Sequence, residues 1–110
     1  MSKDDLIFVD QMLDHALKIS GYLKDTNRQT FDSDEKLRLA LIHLLQIVGE
    51  AARQISTEFQ QQHPTVQWKA IMGMRHRIVH EYLRVDEDIV WETCTHRIPE
   101  LIDQLQQLSR

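Results

Sequence analysis

The feature that most constrains this chain is a run of apolar residues on a helical beat. Leu37, Leu41, Leu44, Val48, Ala51 and Ile55 follow one another at spacings of four and three, which places them on one face of an α-helix. Ile42, Leu45, Gly49 and Ala52 lay a second stripe beside the first. A helix apolar on two sides needs neighbours on both, so this segment is expected at the centre of a bundle, with Gly49, Ala51 and Ala52 letting one neighbour come close.

The rest of the chain supports the same architecture. Three glycines and two prolines in 110 residues leave few turn formers, which favours long helices over many strands. A first helix is expected with Ser2 as its cap, Asp4 and Asp5 in its first turn, and a buried stripe of Leu6, Val9, Leu13, Ala16, Ser20 and Leu23. The polar residues 24–32 read as a loop, and Asp32 with Glu35 three residues on resembles a capping box opening the central helix. Pro64 ends that helix, and Thr65 is placed to cap a third, starting near Val66 and continuing through Leu83. Asp86 opens a fourth carrying Ile89, Val90, Trp91, Ile98, Leu101, Ile102, Leu105 and Leu108; Pro99 within it predicts a kink near Arg97 and Ile98. The expected fold is all-α: one domain over residues 1–110, an antiparallel bundle of four or five helices.

Composition narrows the function classes. A single cysteine, Cys94, excludes an internal disulfide framework and suits a reducing cytosol. No segment approaches the apolar length of a membrane span, so a cytoplasmic protein with no membrane association is expected. A net charge of −4 argues against general coating of nucleic acid, but leaves room for a local basic site.

That site is expected in RHRIVHEY, residues 75 to 82. On a regular helix Arg75 falls in the middle of an apolar arc formed by Trp68, Ile71, Met74, Ile78 and Tyr82, with His76 and His80 together at its edge. An unpaired charge buried there costs several kcal/mol, so Arg75 either finds an internal partner, Glu50 being the nearest in kind, or faces a cleft. His76 and His80 have the i, i+4 spacing of metal ligands, but no glutamate accompanies them and Arg77 lies between, so no metal site is expected, nor any other cofactor. Tyr82 alone would pass for a core aromatic. The combination points to a site: Lys69, Arg75, Arg77 and Arg84 stand against Glu81 alone in residues 69 to 84.

Taken with IVGEAARQIS before it and VWETCTHRIPEL after it, the stretch WKAIMGMRHRIVHEYLRVD resembles the HepT-like family of HEPN-domain proteins over essentially the whole chain. The family motif, Arg-x4-His-x-Tyr, is met by Arg75, His80 and Tyr82. Where the family usually has Asn after the Arg, this chain has His76. The resemblance implies a HEPN helical fold, a homodimer with the motif lining a cleft between protomers, metal-independent cleavage of RNA, and the toxin role in a type VII toxin–antitoxin pair. It also implies an MntA-type nucleotidyltransferase antitoxin that transfers AMP to Tyr82.

The residue types suit that chemistry independently. Histidine titrates near neutrality and suits proton transfer at the ribose 2′-hydroxyl or the leaving oxygen; arginine presents a fixed fork of donors to phosphate. His80 is therefore assigned to acid–base work and Arg75 to the phosphate. His76 is a candidate second proton-transfer group, and Lys69, Arg77 and Arg84 are candidate guides for the RNA backbone, the alternative for each being a solvated surface residue. On a regular helix Arg75 and His80 point about 140° apart, so either the helix loosens near His80 or two protomers share the cleft. Two rivals remain: a non-catalytic helical module that binds a nucleotide or a protein partner, and a purely structural dimerisation bundle.

Overall fold

The computed structural model describes residues 3–80 and 84–108. Helix α1 (Lys3–Tyr22) and helix α3 (Glu35–Arg53) form the most extensive helix pair, and the C-terminal helix α8 (Ile98–Leu108) packs on the other flank of α1. The molecule measures 44 × 32 × 19 Å. Its short dimension is close to two helix diameters of roughly 10 Å, so the bundle is two layers thick.

One apolar core runs through these layers, and α3 supplies both expected stripes. Leu41, Leu44, Val48 and Ala51 are buried on one, Leu45, Gly49 and Ala52 on the other, while Leu37 and Ile42 near the start of the helix are half-buried. On α1 the buried line differs from the expected one. It runs through Asp5, Val9, Met12, Ala16 and Ile19, with Leu6, Leu13 and Leu23 half-buried and Ser20 exposed. The line shifts because α1 is wedged between α3 and α8 and because Asp5, expected only as first-turn charge, is a structural anchor. Its carboxylate accepts hydrogen bonds from the Ser56 backbone N–H and hydroxyl, both at 2.8 Å.

Side-chain caps mark four of the helix starts. Asn27 accepts from the Thr30 N–H and opens a short helix, α2 (Arg28–Ser33), where a loop was expected. The cap of α3 is Asp34, which accepts from the Leu37 N–H at 3.0 Å, so Asp32 is not the capping residue. Asp32 instead pairs with Arg28, which also reaches Asp88 at 2.7 Å. The two carboxylates, Asp32 foremost, raise the arginine's already high pKa. Phe31 packs on Trp91 with ring centroids 5.1 Å apart, and Arg38 pairs with Glu87 at 2.9 Å, so α2 latches the start of α3 to the C-terminal region.

The central helix stops at Arg53, earlier than Pro64 requires, and Ser56 caps a further short helix, α4 (Thr57–Gln62), through the Phe59 N–H. Asp86 caps α7 (Glu87–Glu92) as expected, accepting from the Ile89 N–H at 3.1 Å. The irregularity due near Pro99 is a π-helical turn, Thr93–Arg97, that joins α7 to α8. Proline has no N–H to continue the i→i−4 ladder, and the Ile98 N–H just before it reaches back five residues to the Thr93 carbonyl.

Candidate functional site

The segment that carries RHRIVHEY is built from short pieces. Helix α5 (Trp68–Met72) starts at Gln67 without a side-chain cap, so Thr65 does not cap it. Its position comes from Trp68, 6% exposed, whose Nε1–H donates to the His63 carbonyl at 3.0 Å. Gly73 closes it, with its N–H on the Lys69 carbonyl at 3.0 Å, and the next helix, α6 (Met74–Ile78), begins at once. The chain then leaves the helix. Val79–His80 (β1) pairs antiparallel with Arg84–Val85 (β2), Val79 opposite Val85 and His80 opposite Arg84.

This corrects the expectation of one continuous helix from residue 66 to residue 83. The Ile78 carbonyl, which a continuing helix would bond to residue 82, accepts instead from the Asp86 N–H at 2.8 Å, so the return strand closes the helix end. Two extended β-branched residues, Val79 and Val85, face each other there, as suits a strand pair. Helical angles computed across Ile78 therefore do not apply. The helix gives way before His80: Arg75 is in α6 and His80 in β1.

The site residues expected from sequence divide as follows. His76 and Arg77 are exposed on α6 and Lys69 is exposed on α5. The apolar arc beside them is buried as expected: Trp68, Ile71 and Met74 are largely enclosed and Ile78 is 1% exposed. The side chains of Arg75, His80 and Arg84, and the whole of Tyr82, lie outside the described residues. Glu50 is exposed on α3 and stands 3.9 Å from Arg53, so it is not the core carboxylate considered as a partner for Arg75. Among the described residues no group of three or more His, Cys, Asp or Glu is arranged to hold a metal ion.

What ties this segment to the core is a close backbone approach. A Cβ added at Gly49 of α3 would stand 3.0 Å from the Ile71 carbonyl oxygen of α5, so only glycine lets the two helices meet at this separation. The close neighbour expected at Gly49 is thus α5.

A second feature was not visible in the sequence. Between α5–α6 and the π-helical turn with α8 runs a shallow groove that encloses about 100 Å³ and opens to solvent. Its floor is apolar, from Ile71, Met74, Ile98 and Leu101, and Arg77 and Arg97 belong to its walls. The available signal was Arg97 two residues before Pro99, where the helix has to rearrange.

The fold is that of an all-helical bundle carrying an exposed basic helix end on a short hairpin. The sequence profile described as Ribonuclease HepT-like matches residues 12–108, and the chain belongs to that family. Its relatives include a candidate RNase of Caldanaerobacter subterraneus subsp. tengcongensis, 37% identical over 100 residues that cover 87% of this chain and 89% of the relative. A candidate RNase of Methanocaldococcus jannaschii is 30% identical over 107 residues, 96% of this chain and 98% of its own. A candidate ribonuclease HepT of Thermococcus cleftensis is 26% identical over the full length of both chains. No solved structure matches the chain. No helix among the described residues is long and apolar enough to cross a membrane.

Proposed function

We propose that this chain is a metal-independent endoribonuclease, the toxin of a toxin–antitoxin pair acting in the cytoplasm, and that Arg75, His80 and Tyr82 form its active site. The observation that carries the reading is the Arg-x4-His-x-Tyr spacing in a chain of the HepT-like family, set where helix α6 gives way to a hairpin. The helix end removes the main geometric objection to the site, since the divergence of about 140° holds only for a regular helix.

In the proposed reaction the ribose 2′-oxygen attacks the adjacent phosphorus, the bond to the 5′-oxygen breaks, and a 2′,3′-cyclic phosphate forms. His80 moves a proton at one of the two oxygens, and His76, exposed on α6, serves the other. Arg75 stabilises the charge that builds on the phosphate oxygens. Lys69 and Arg77, both exposed, and Arg84 guide the strand. The active form is a homodimer with the motif in the cleft between protomers. A phenol with a pKa near 10 is a poor base at neutral pH, so Tyr82 positions the substrate and receives the regulatory modification. An MntA-type nucleotidyltransferase joins its phenolic oxygen to the α-phosphorus of ATP with loss of pyrophosphate. The attached AMP occupies the RNA phosphate position and silences the enzyme without refolding.

The test is RNA incubated with purified protein in EDTA. Cleavage with cyclic phosphate ends is expected, and Arg75→Ala and His80→Ala each abolish it while helical circular dichroism is retained. A requirement for divalent metal, or activity in both variants, overturns the site. RNA that is bound but never cut favours the non-catalytic module. Sedimentation of only the 13.0 kDa monomer overturns the dimer. Co-expression with the nucleotidyltransferase adds mass in multiples of AMP to the wild type and not to Tyr82→Phe.

A further inference from the structure

The groove between α5–α6 and the π turn with α8 has two chemically distinct ends. Arg77, near the C-terminus of α6, and Arg97, the last residue of the π turn, both line it, ten residues from Gln67 and seven from Gln104 respectively. At the far end Gln104 donates to the Thr65 carbonyl at 3.1 Å, which brings it beside Gln67. Seven residues of helix separate Arg97 from Gln104, about 10 Å of rise. One end thus presents two guanidinium forks, the other two amides, and the floor between them is apolar.

The groove's polarity suits one ligand chemistry. Guanidinium forks match the oxygens of a phosphodiester, an apolar trough takes the flat face of a base away from water, and amides pair with base edges in either sense. Glu100, also on the wall, would repel a phosphate but accepts from the amino group of a base, which places the base rather than the phosphate at its level. The π turn contributes directly. Thr93 and Arg97, at its two ends, both line the groove, and Thr93 is 4% exposed, so a polar side chain is enclosed at the arginine end. π turns are commonly retained at functional sites. Charge complementarity and size favour a single-stranded RNA over a partner helix. A peptide helix would gain little from paired arginines beside a trough this short.

Resting on the ribonuclease reading, we propose that this groove is a nucleotide subsite of the same enzyme. It holds one unpaired nucleotide of the RNA, the phosphate between Arg77 and Arg97 and the base on the Ile71–Met74–Leu101 floor. The enzyme accordingly requires a single-stranded segment and discriminates among bases at one position of the RNA, with Arg97 as a substrate-binding residue.

The experiment uses the full-length protein and short single-stranded RNAs made uncleavable by 2′-O-methylation, with binding followed by fluorescence anisotropy. Arg97→Ala is expected to raise Kd about tenfold and to make the salt dependence shallower by about 0.7 in log–log slope, one phosphate contact on a single strand. Arg97→Lys restores the slope. Lys18→Ala, a charge-matched change outside the groove, alters neither. Moving one abasic site along the RNA is expected to cost about tenfold at a single position, the value of one seated base. That penalty disappears in Ala70→Trp, which fills the trough from α5. On cleavable RNA the Arg97→Ala loss falls on KM. Wild-type affinity in Arg97→Ala, in a protein that cuts RNA, overturns the subsite and leaves the ribonuclease standing. So does an abasic series with no sensitive position, which reduces the groove to a phosphate contact, or a loss of dimer in place of a loss of RNA affinity. A wild-type protein that neither binds nor cuts RNA overturns both.

Discussion

Two regions of this molecule are built on different principles. In the α1–α4 region, Asn27, Asp34 and Ser56 each satisfy an N–H of the helix they open, and the central helix buries two complete stripes. In the α5–β2 region, two five-residue helices meet at a glycine, the first starts without a side-chain cap, and the chain ends in a two-residue ladder. Isolated helices that short are unstable, so this region owes its shape to the core beneath it. The contrast teaches that the scaffold is specified locally, while the segment carrying the basic motif is held from outside: by Trp68 on the His63 carbonyl, by the Gly49 contact with Ile71, and by the Asp86 N–H on Ile78.

The strongest challenge to that division is Asp5→Ala. It removes the buried carboxylate that the Ser56 N–H and hydroxyl reach at 2.8 Å, and the loss of charge-assisted hydrogen bonds should cost about 2–3 kcal/mol. A fall in Tm of roughly 10 °C is expected in calorimetry, with RNA cleavage below the new Tm unchanged. Cleavage lost at temperatures where the variant is still folded would show that scaffold and site are not separable.

Gly49→Ala probes the junction. Alanine gains about 1 kcal/mol of helix propensity, but its Cβ would stand 3.0 Å from a backbone oxygen, and overpacking of this kind costs about 1–3 kcal/mol. The clash outweighs the gain because a carbonyl cannot rotate away as a side-chain tip can. A net loss of about 1 kcal/mol in urea melts is expected, together with reduced cleavage as α5 is displaced. A stabilised, fully active variant would refute the external support of α5.

Asp86→Ala removes the cap of α7 next to the hairpin and should cost about 1 kcal/mol. Asp34→Ala should cost a similar amount on the scaffold side. The two differ in their effect on cleavage: Asp86→Ala keeps the backbone bond to Ile78 but loosens the α7 cap beside it, so cleavage falls with Asp86→Ala and not with Asp34→Ala.

The smallest effect at neutral pH belongs to Cys94, buried within the π turn, where desolvation pushes the thiol up to about 12. The folded state holds this proton more tightly than the unfolded chain does. Its contribution to stability is therefore complete below the unfolded thiol's ordinary range, and is lost as pH rises from about 9 toward 12. At neutral pH a thiol reagent should label Cys94 only at the rate of unfolding. Fast labelling of the native protein would mean that the π turn opens locally.

Much of the scaffold is legible in the residues themselves. The double stripe of the central helix, Asp86 as a cap and the irregularity ahead of Pro99 follow from side-chain periodicity and from the chemistry of an acceptor and of a missing N–H. The errors share one cause. Asp32 and Asp34 are equally good caps in a sequence window; Asp32 falls inside α2, paired with Arg28, and Asp34 is the extended residue between the two helices. Leu6 and Leu13 fit the periodicity of α1 as well as Met12 and Ile19 do, and the choice rests on where α3 and α8 sit.

The motif region shows the same divide more sharply. The chain by itself determined which chemistry is available, since Arg75, His76, Arg77, His80 and Tyr82 follow one another within eight residues, and it determined the HepT-like family to which it belongs. It did not determine where the helix stops. Nothing local to Ile78 forbids another turn, and the apolar arc from Trp68 fits a helix through Leu83. The end is decided by a hydrogen bond from Asp86, eight residues on, and the groove by two segments twenty residues apart, Arg77 and Arg97. Periodicity reports the neighbours a residue has along the chain, and both of these depend on contacts that exist only once the chain has folded back.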